Sequence, residues 1–255
     1  MECSQAVLTL FLLVPCDQGG GDSMDLAIAE ALAAPQRMKA DLRADPLRRP
    51  DRVLEFLELR PGMQVLDLFS GGGYYSEILS RVVGGDGRVV AHNNRGYLAF
   101  VGDTVAERYR DNRLPNVEQL IIEADALAFP EASFDAALAM LTWHDFYFSD
   151  EEQGWPAVDR ERLLQTLCSA LKPGAVLGVS DHVARSGSDP AISGEALHRI
   201  DPARLRADIE GDCFEYEAEL SVLRNPKDDL DISVFDEATR GRSDRVVYRF
   251  RRKAS

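Results

Sequence analysis

The 255-residue sequence predicts a doubly wound, Rossmann-like α/β domain whose sheet is mostly parallel with an antiparallel C-terminal edge. Three observations predict it. Apolar runs of strand length alternate with helical patterns from residue 64 to residue 180, which implies a parallel sheet buried on both faces. A glycine cluster, Gly71-Gly72-Gly73, follows the first run and opens a helix. The last two runs, 214–223 and 245–250, have no convincing helix between them, so they pair as an antiparallel edge.

Taken in order, residues 1–23 read as a candidate signal or lipoprotein segment with a tether, 24–60 as a helical N-terminal extension, and 61–252 as the main domain. The apolar run 6–15 is too short to span a bilayer but has the length of a signal-peptide core. Leu13-Val14-Pro15-Cys16 resembles a lipoprotein cleavage box, which makes Cys16 a candidate lipid anchor. No Lys or Arg precedes the run, and Pro15 sits where a small residue is usual. Export to the periplasm and residence in the cytoplasm therefore both stay open. No other stretch is apolar enough to cross a membrane.

Pro50 suits the first turn of a short helix through Leu59, which Arg60-Pro61-Gly62 breaks. Strands are expected at 64–69, 88–92, 117–123, 134–141 and 175–180, with helices from the glycine cluster to about Val83, at 97–110 and at 157–171. Asp201 and Pro202 are the N-cap and first residue of a further helix. Residues 183–196 show no clear period and suggest a substrate lid.

The chain holds 29 basic and 43 acidic residues, a net charge of -14. Such a surface repels phosphate backbones, so no nucleic-acid partner is expected and a small-molecule acceptor is favoured. The four cysteines lack metal-ligand spacing. Cys168 and Cys213 read as buried small hydrophobes.

In an open α/β sheet, ligands bind beyond the carboxyl ends of the strands. The first strand ends in Asp67-Leu68-Phe69-Ser70-Gly71-Gly72-Gly73. A glycine turn there lets a ligand approach the backbone and aims helix N-terminal N–H groups at it. The second strand ends in His92-Asn93-Asn94, the third in Glu123-Ala124-Asp125-Ala126, His144-Asp145 and Asp181-His182 follow the fourth and fifth, and His198 precedes Arg199 and the Asp201 helix cap, so these groups could share one pocket. Histidine is poised near neutral pH, so His144 is the candidate general base, with Asp145, Asp181 and His182 as catalytic companions. Trp143, Phe146, Tyr147 and Phe148 flank it as a candidate wall for a planar acceptor.

Over roughly 53–252 the sequence resembles the class I S-adenosylmethionine-dependent methyltransferases. The family's first motif is an acid followed by alternate glycines; Asp67, Gly71 and Gly73 match, while Phe69 replaces the first glycine. More narrowly, it resembles a little-characterised bacterial group of predicted methyltransferases whose members often carry an export signal. The resemblance implies S-adenosyl-L-methionine as cofactor. Asp67, Ser70, Gly71 and Gly73 would meet its amino-acid end. Asn93 would meet the ribose where the family has an acid, and Asp125 with the Ala126 N–H would meet the adenine. The activity implied is methyl transfer to an unidentified acceptor. The alternatives are an S-adenosylmethionine-binding protein without catalysis and a dinucleotide-dependent oxidoreductase, which would want a tighter glycine fingerprint and an acid on the second strand. Asp145, Asp181, His182 and His144 also compose a candidate divalent-metal set, ranked behind the metal-free reading.

Overall fold

A computed structural model describes residues 19–254. The apolar run and Cys16 lie outside them. Strands β1 (Gln64–Leu68), β2 (Arg88–Asn93), β3 (Val117–Ile121), β4 (Phe134–Met140), β5 (Leu171–His182), β6 (Phe214–Glu219) and β7 (Arg245–Arg252) form one sheet in the order β3-β2-β1-β4-β5-β7-β6. The pairs among β1 to β5 are parallel; β7 lies antiparallel between β5 and β6, as the missing helix requires. The seven-stranded order and its reversed edge are those of the Rossmann-like methyltransferase sheet.

Alternate strand residues face opposite layers, and both layers are apolar. Val65, Val89, Leu138 and Val247 are buried against helices α1 (Gly19–Ala33), α3 (Pro50–Phe56) and α4 (Tyr74–Val83). Their neighbours Leu66, Val90, Ala139 and Val246 are buried on the other face, under α7 (Arg160–Ala170) and α9 (Pro202–Ile209). Asp201 caps α9 by accepting from the Ala203 N–H at 2.9 Å.

Three local expectations change. The helix expected at 97–110 divides into α5 (Arg95–Val101) and α6 (Thr104–Tyr109), because Gly102 between them adopts φ 56°. The aperiodic stretch after β5 contains α8 (Pro190–Leu197), whose buried residues are Ser193 and Gly194. Small residues on its inner side leave no apolar stripe to read. Cys168 and Cys213 form a disulfide with Cα atoms 6.1 Å apart, joining α7 to the approach to β6. The remaining helix, α2 (Lys39–Arg48), closes the N-terminal layer. Among the described residues no helix is long and apolar enough to cross a membrane.

Candidate active site

The turn after β1 is built as the glycines require: Gly71 and Gly73 sit at φ 57° and 77°. Phe69 also adopts a positive φ, 50°, a conformation that costs a non-glycine residue about 1–2 kcal/mol. Its ring is anchored by His92, Phe146 and Tyr97, with centroids 4.6, 5.0 and 5.1 Å away. Gly72 and Gly73 also admit a neighbouring helix. A Cβ on Gly72 would lie 3.0 Å from Thr104, and one on Gly73 would lie 2.9 Å from the Tyr109 hydroxyl, both residues of α6. Arg108 of α6 is 2% exposed; its Nε donates to the Gly72 carbonyl at 2.7 Å, and its guanidinium pairs with Asp41 and Glu77.

Asp67 is fully buried, with Ser76 Oγ donating to it at 2.6 Å. Burial pushes its carboxyl up to about 7, against the bonds from Ser76 and the attraction of Arg108. Glu123, just past β3, has a buried Oε2 without a hydrogen-bond partner among the described residues. A cofactor that carries an ammonium and hydroxyl or amine donors would satisfy both acids, and S-adenosylmethionine has those groups. The residues present fit it on these two observations.

The remaining sequence-derived cofactor contacts are engaged within the protein. Asn93 Oδ1 accepts from the Gly71 N–H at 2.9 Å, and its Nδ2 donates to Ser70 Oγ and the Gly71 carbonyl. It braces the glycine turn. The Ala126 N–H donates to the Glu123 carbonyl at 3.0 Å. Asp125 is exposed and accepts a long 3.4 Å bond from the Asp159 N–H. His92 is held neutral: Nδ1 accepts from the Phe69 N–H, and Nε2 donates to the Ile122 carbonyl. Burial pushes it down to about 4.

The structure brings His144, Asp145 and Asp181 together at the ends of β4 and β5. Asp181, entirely buried, accepts from His144 Nδ1 at 2.7 Å and from the backbone N–H groups of His144 and His182. The other ring nitrogen, His144 Nε2, lies 3.1 Å from Asp145 Oδ1. Burial opposes charge on this ring, but the Asp181 and Asp145 carboxylates outweigh it and push it up to about 10. Burial likewise works against Asp145, yet His144 and the hydrogen bonds around it hold it well below the usual carboxylate range. His182 turns away: its Nδ1 bonds Ser243 Oγ at 2.6 Å, and burial, then the charge on His144, keep it neutral.

Two further side chains take part, Tyr97 unforeseen in the sequence and His198 grouped there with the strand-end histidines. Tyr97 donates to Asp145 Oδ2 at 2.5 Å and also bonds Thr142 Oγ1. His198, left-handed at the end of α8, brings Nδ1 to 3.6 Å from Asp145 Oδ1. Its position before Arg199 was the only sequence signal. Half of the aromatic wall is core: Trp143 and Phe146 are buried, Tyr147 and Phe148 are half-buried, and Trp143 and Tyr147 both donate to Asp208. The exposed rings are Phe100 and Phe235, 5.9 Å apart, with Phe235 against His198 at 4.6 Å.

Residues 33–123 match the family model of protein-L-isoaspartate(D-aspartate) O-methyltransferase (PCMT). The ubiquinone/menaquinone biosynthesis C-methyltransferase UbiE of Enterobacter sp. (strain 638) is 30% identical over 181 residues, 67% of this chain and 63% of that protein. UbiE of Salmonella arizonae is 26% identical over 70% of this chain and 66% of its own length. The chain thus spans somewhat under two thirds of these relatives. Among solved structures, a SAM-dependent methyltransferase from Aquifex aeolicus superposes with TM-score 0.56 at 22% identity, covering 89% of this chain and 97% of its own. The [4+2]-cyclase SpnF superposes with TM-score 0.57 at 19% identity over 96% and 98%. At such identities the likeness concerns the fold.

Proposed function

We propose that this chain, which belongs to the class I S-adenosylmethionine-dependent methyltransferases and takes S-adenosylmethionine as its cofactor, transfers the cofactor's methyl group to a small-molecule acceptor. The observation that carries the reading is one rim of the sheet. It holds buried Asp67, half-buried Glu123 with its partnerless Oε2, and an oriented histidine, His144, past the end of β4 beside β1.

Bound cofactor supplies an activated methyl group on a sulfonium, so the protein's tasks are alignment and exclusion of water. Asp67 would take the ammonium and Glu123 a donor of the nucleoside. Asp181 fixes the His144 ring through Nδ1, which leaves Nε2 facing Asp145. From there His144 would hydrogen-bond the acceptor's oxygen or nitrogen and favour its deprotonated form. Tyr97 fixes the second oxygen of Asp145 and so limits how that carboxylate turns.

The net charge of -14 supports an acceptor other than nucleic acid. Exposed Phe100 and Phe235 beside His198 suit a planar ring, a chemistry compatible with the quinone biosynthesis in the relatives' names. Calorimetry with S-adenosylmethionine and NAD, followed by methyl-labelled cofactor with a metabolite extract, tests the reading. The expected result is binding of the first only, with S-adenosylhomocysteine released and label in a small molecule. Binding of NAD alone, or cofactor binding with no turnover on any acceptor pool, would overturn it.

A further inference from the structure

We propose that His144, Asp145 and His198 form a binding site for a divalent transition-metal ion, zinc or iron(II) in chemical class. One ligand atom from each side chain lies within 4.8 Å of the others. Two ligand atoms on one ion at zinc-type bond lengths are separated by about 3.3 Å. His144 Nε2 is 3.1 Å, and His198 Nδ1 3.6 Å, from Asp145 Oδ1. Small side-chain adjustments bring all three onto one ion.

The surroundings match those of a built metal site. A ligating histidine typically donates its other N–H to a carboxylate, which fixes the ring and makes it a better ligand. His144 does this to Asp181, which is itself pinned by two backbone N–H groups. The carboxylate ligand is held in the same way, with Tyr97 on the oxygen that faces away from the histidines. Asp145 and Asp181 bring two carboxylates to the ends of β4 and β5, and a divalent ion bound at His144 Nε2 in place of its proton would keep both balanced. Gly194 lets α8 approach closely enough to deliver His198, since a Cβ there would meet the His144 carbonyl at 2.7 Å.

Two imidazoles and one carboxylate select a borderline ion over magnesium or calcium, which prefer all-oxygen shells. Three protein ligands also leave coordination positions for an exogenous one. His198 is the most exposed of the three and meets Phe235 edge-on, so those positions face the rim where an acceptor would lie. The set differs from the one the sequence suggested: Asp181 acts behind a ligand, His182 bonds Ser243, and His198 completes the triad. An ion here would coordinate an acceptor oxygen and lower its pKa. Metal binding itself does not depend on the methyl-transfer reading.

The test is titration of chelator-treated full-length protein with cobalt(II) alone, read by its visible absorption, and with zinc(II) alone, read by calorimetry and elemental analysis. One ion per chain is expected, with a ligand-field spectrum of an imidazole-containing site. His198→Ala, which removes a partly exposed side chain, should weaken binding at least tenfold, and Asp181→Asn should weaken it similarly. His198→Gln serves if the alanine variant does not fold. Equal binding by wild type and both His198 variants, or no stoichiometric ion, would overturn the proposal. Because no cofactor or acceptor is present, a negative result here leaves the methyltransferase reading standing.

Discussion

Two regions of this protein bury charge, and they do so differently. Over the glycine turn, Arg108 bridges Asp41 and Glu77, and Arg113 and Arg81 close on the same Glu77. Permanent cations answer every acid, and the assembly ties α2, α4 and α6 together. At the ends of β4 and β5, acids meet histidines instead, and the side of the cluster at His198 is one-third exposed. The first region locks a shape. The second keeps groups whose charge changes with a proton or a ligand, on a side that a ligand reaches. Burial of charge alone therefore does not mark a reactive site; the exchangeable charge and the open side do.

The largest effect is expected at the locked region. Arg108→Ala would leave Asp41 and Glu77 uncompensated and should lower stability by about 3–5 kcal/mol in urea unfolding. A loss below about 1 kcal/mol would erase the contrast between the regions.

The next effect concerns pH. His92 is buried neutral with its pKa pushed down to about 4, while the unfolded chain takes up that proton near pH 6.5. Its contribution is complete above pH 6.5 and is lost as pH falls to 4, an effect of about 3 kcal/mol. His92→Gln, which keeps a donor and an acceptor, should flatten this limb of the stability profile; an unchanged limb would assign it to other groups.

Asp67 sharpens the comparison because it is buried without a cation of its own. With its carboxyl pushed up to about 7, the free protein holds it protonated below that pH. An ammonium needs the anion, so S-adenosylmethionine affinity should rise about tenfold from pH 5.5 to 7, with proton release on binding. Calorimetry in buffers of different ionisation enthalpy reads this, and Asp67→Asn should abolish the dependence. The smallest effect is expected for exposed Asp125. Asp125→Ala should leave stability unchanged and weaken cofactor binding by about 1 kcal/mol, roughly fivefold. Unaltered affinity would remove it from the adenine site.

The centre of the sheet was legible because β1, β2, β4 and β5 carry contiguous apolar runs buried on both faces, so their recognition did not depend on distant residues. The glycine turn was legible in conformation but not in use. Gly72 and Gly73 accept α6, and Asn93 braces the loop from inside, because contacts across the sheet order decide where an amide points. His144, Asp145 and Asp181 could be placed from their strand ends. His198 could be grouped with them, but not the helix that delivers it, since α8 carries no apolar stripe and its packing rests on Gly194. The cysteine pair was hidden for the same reason: it depends on α7 lying beside the start of β6, with the two cysteines 45 positions apart.

That bridge gives the protein an unusual topology. Cys168 and Cys213 close a covalent ring, and Asp181, His182 and His198 all lie on it. Closing a loop of this length removes about 4 kcal/mol of conformational freedom from the unfolded chain in the chain-entropy account. A protease cut at an exposed point such as Arg185, inside the ring, would yield two fragments still joined through sulfur. Bridges of this kind persist where thiols are kept oxidised. Integrity of the histidine-bearing part of the site is thereby coupled to redox surroundings as well as to sequence.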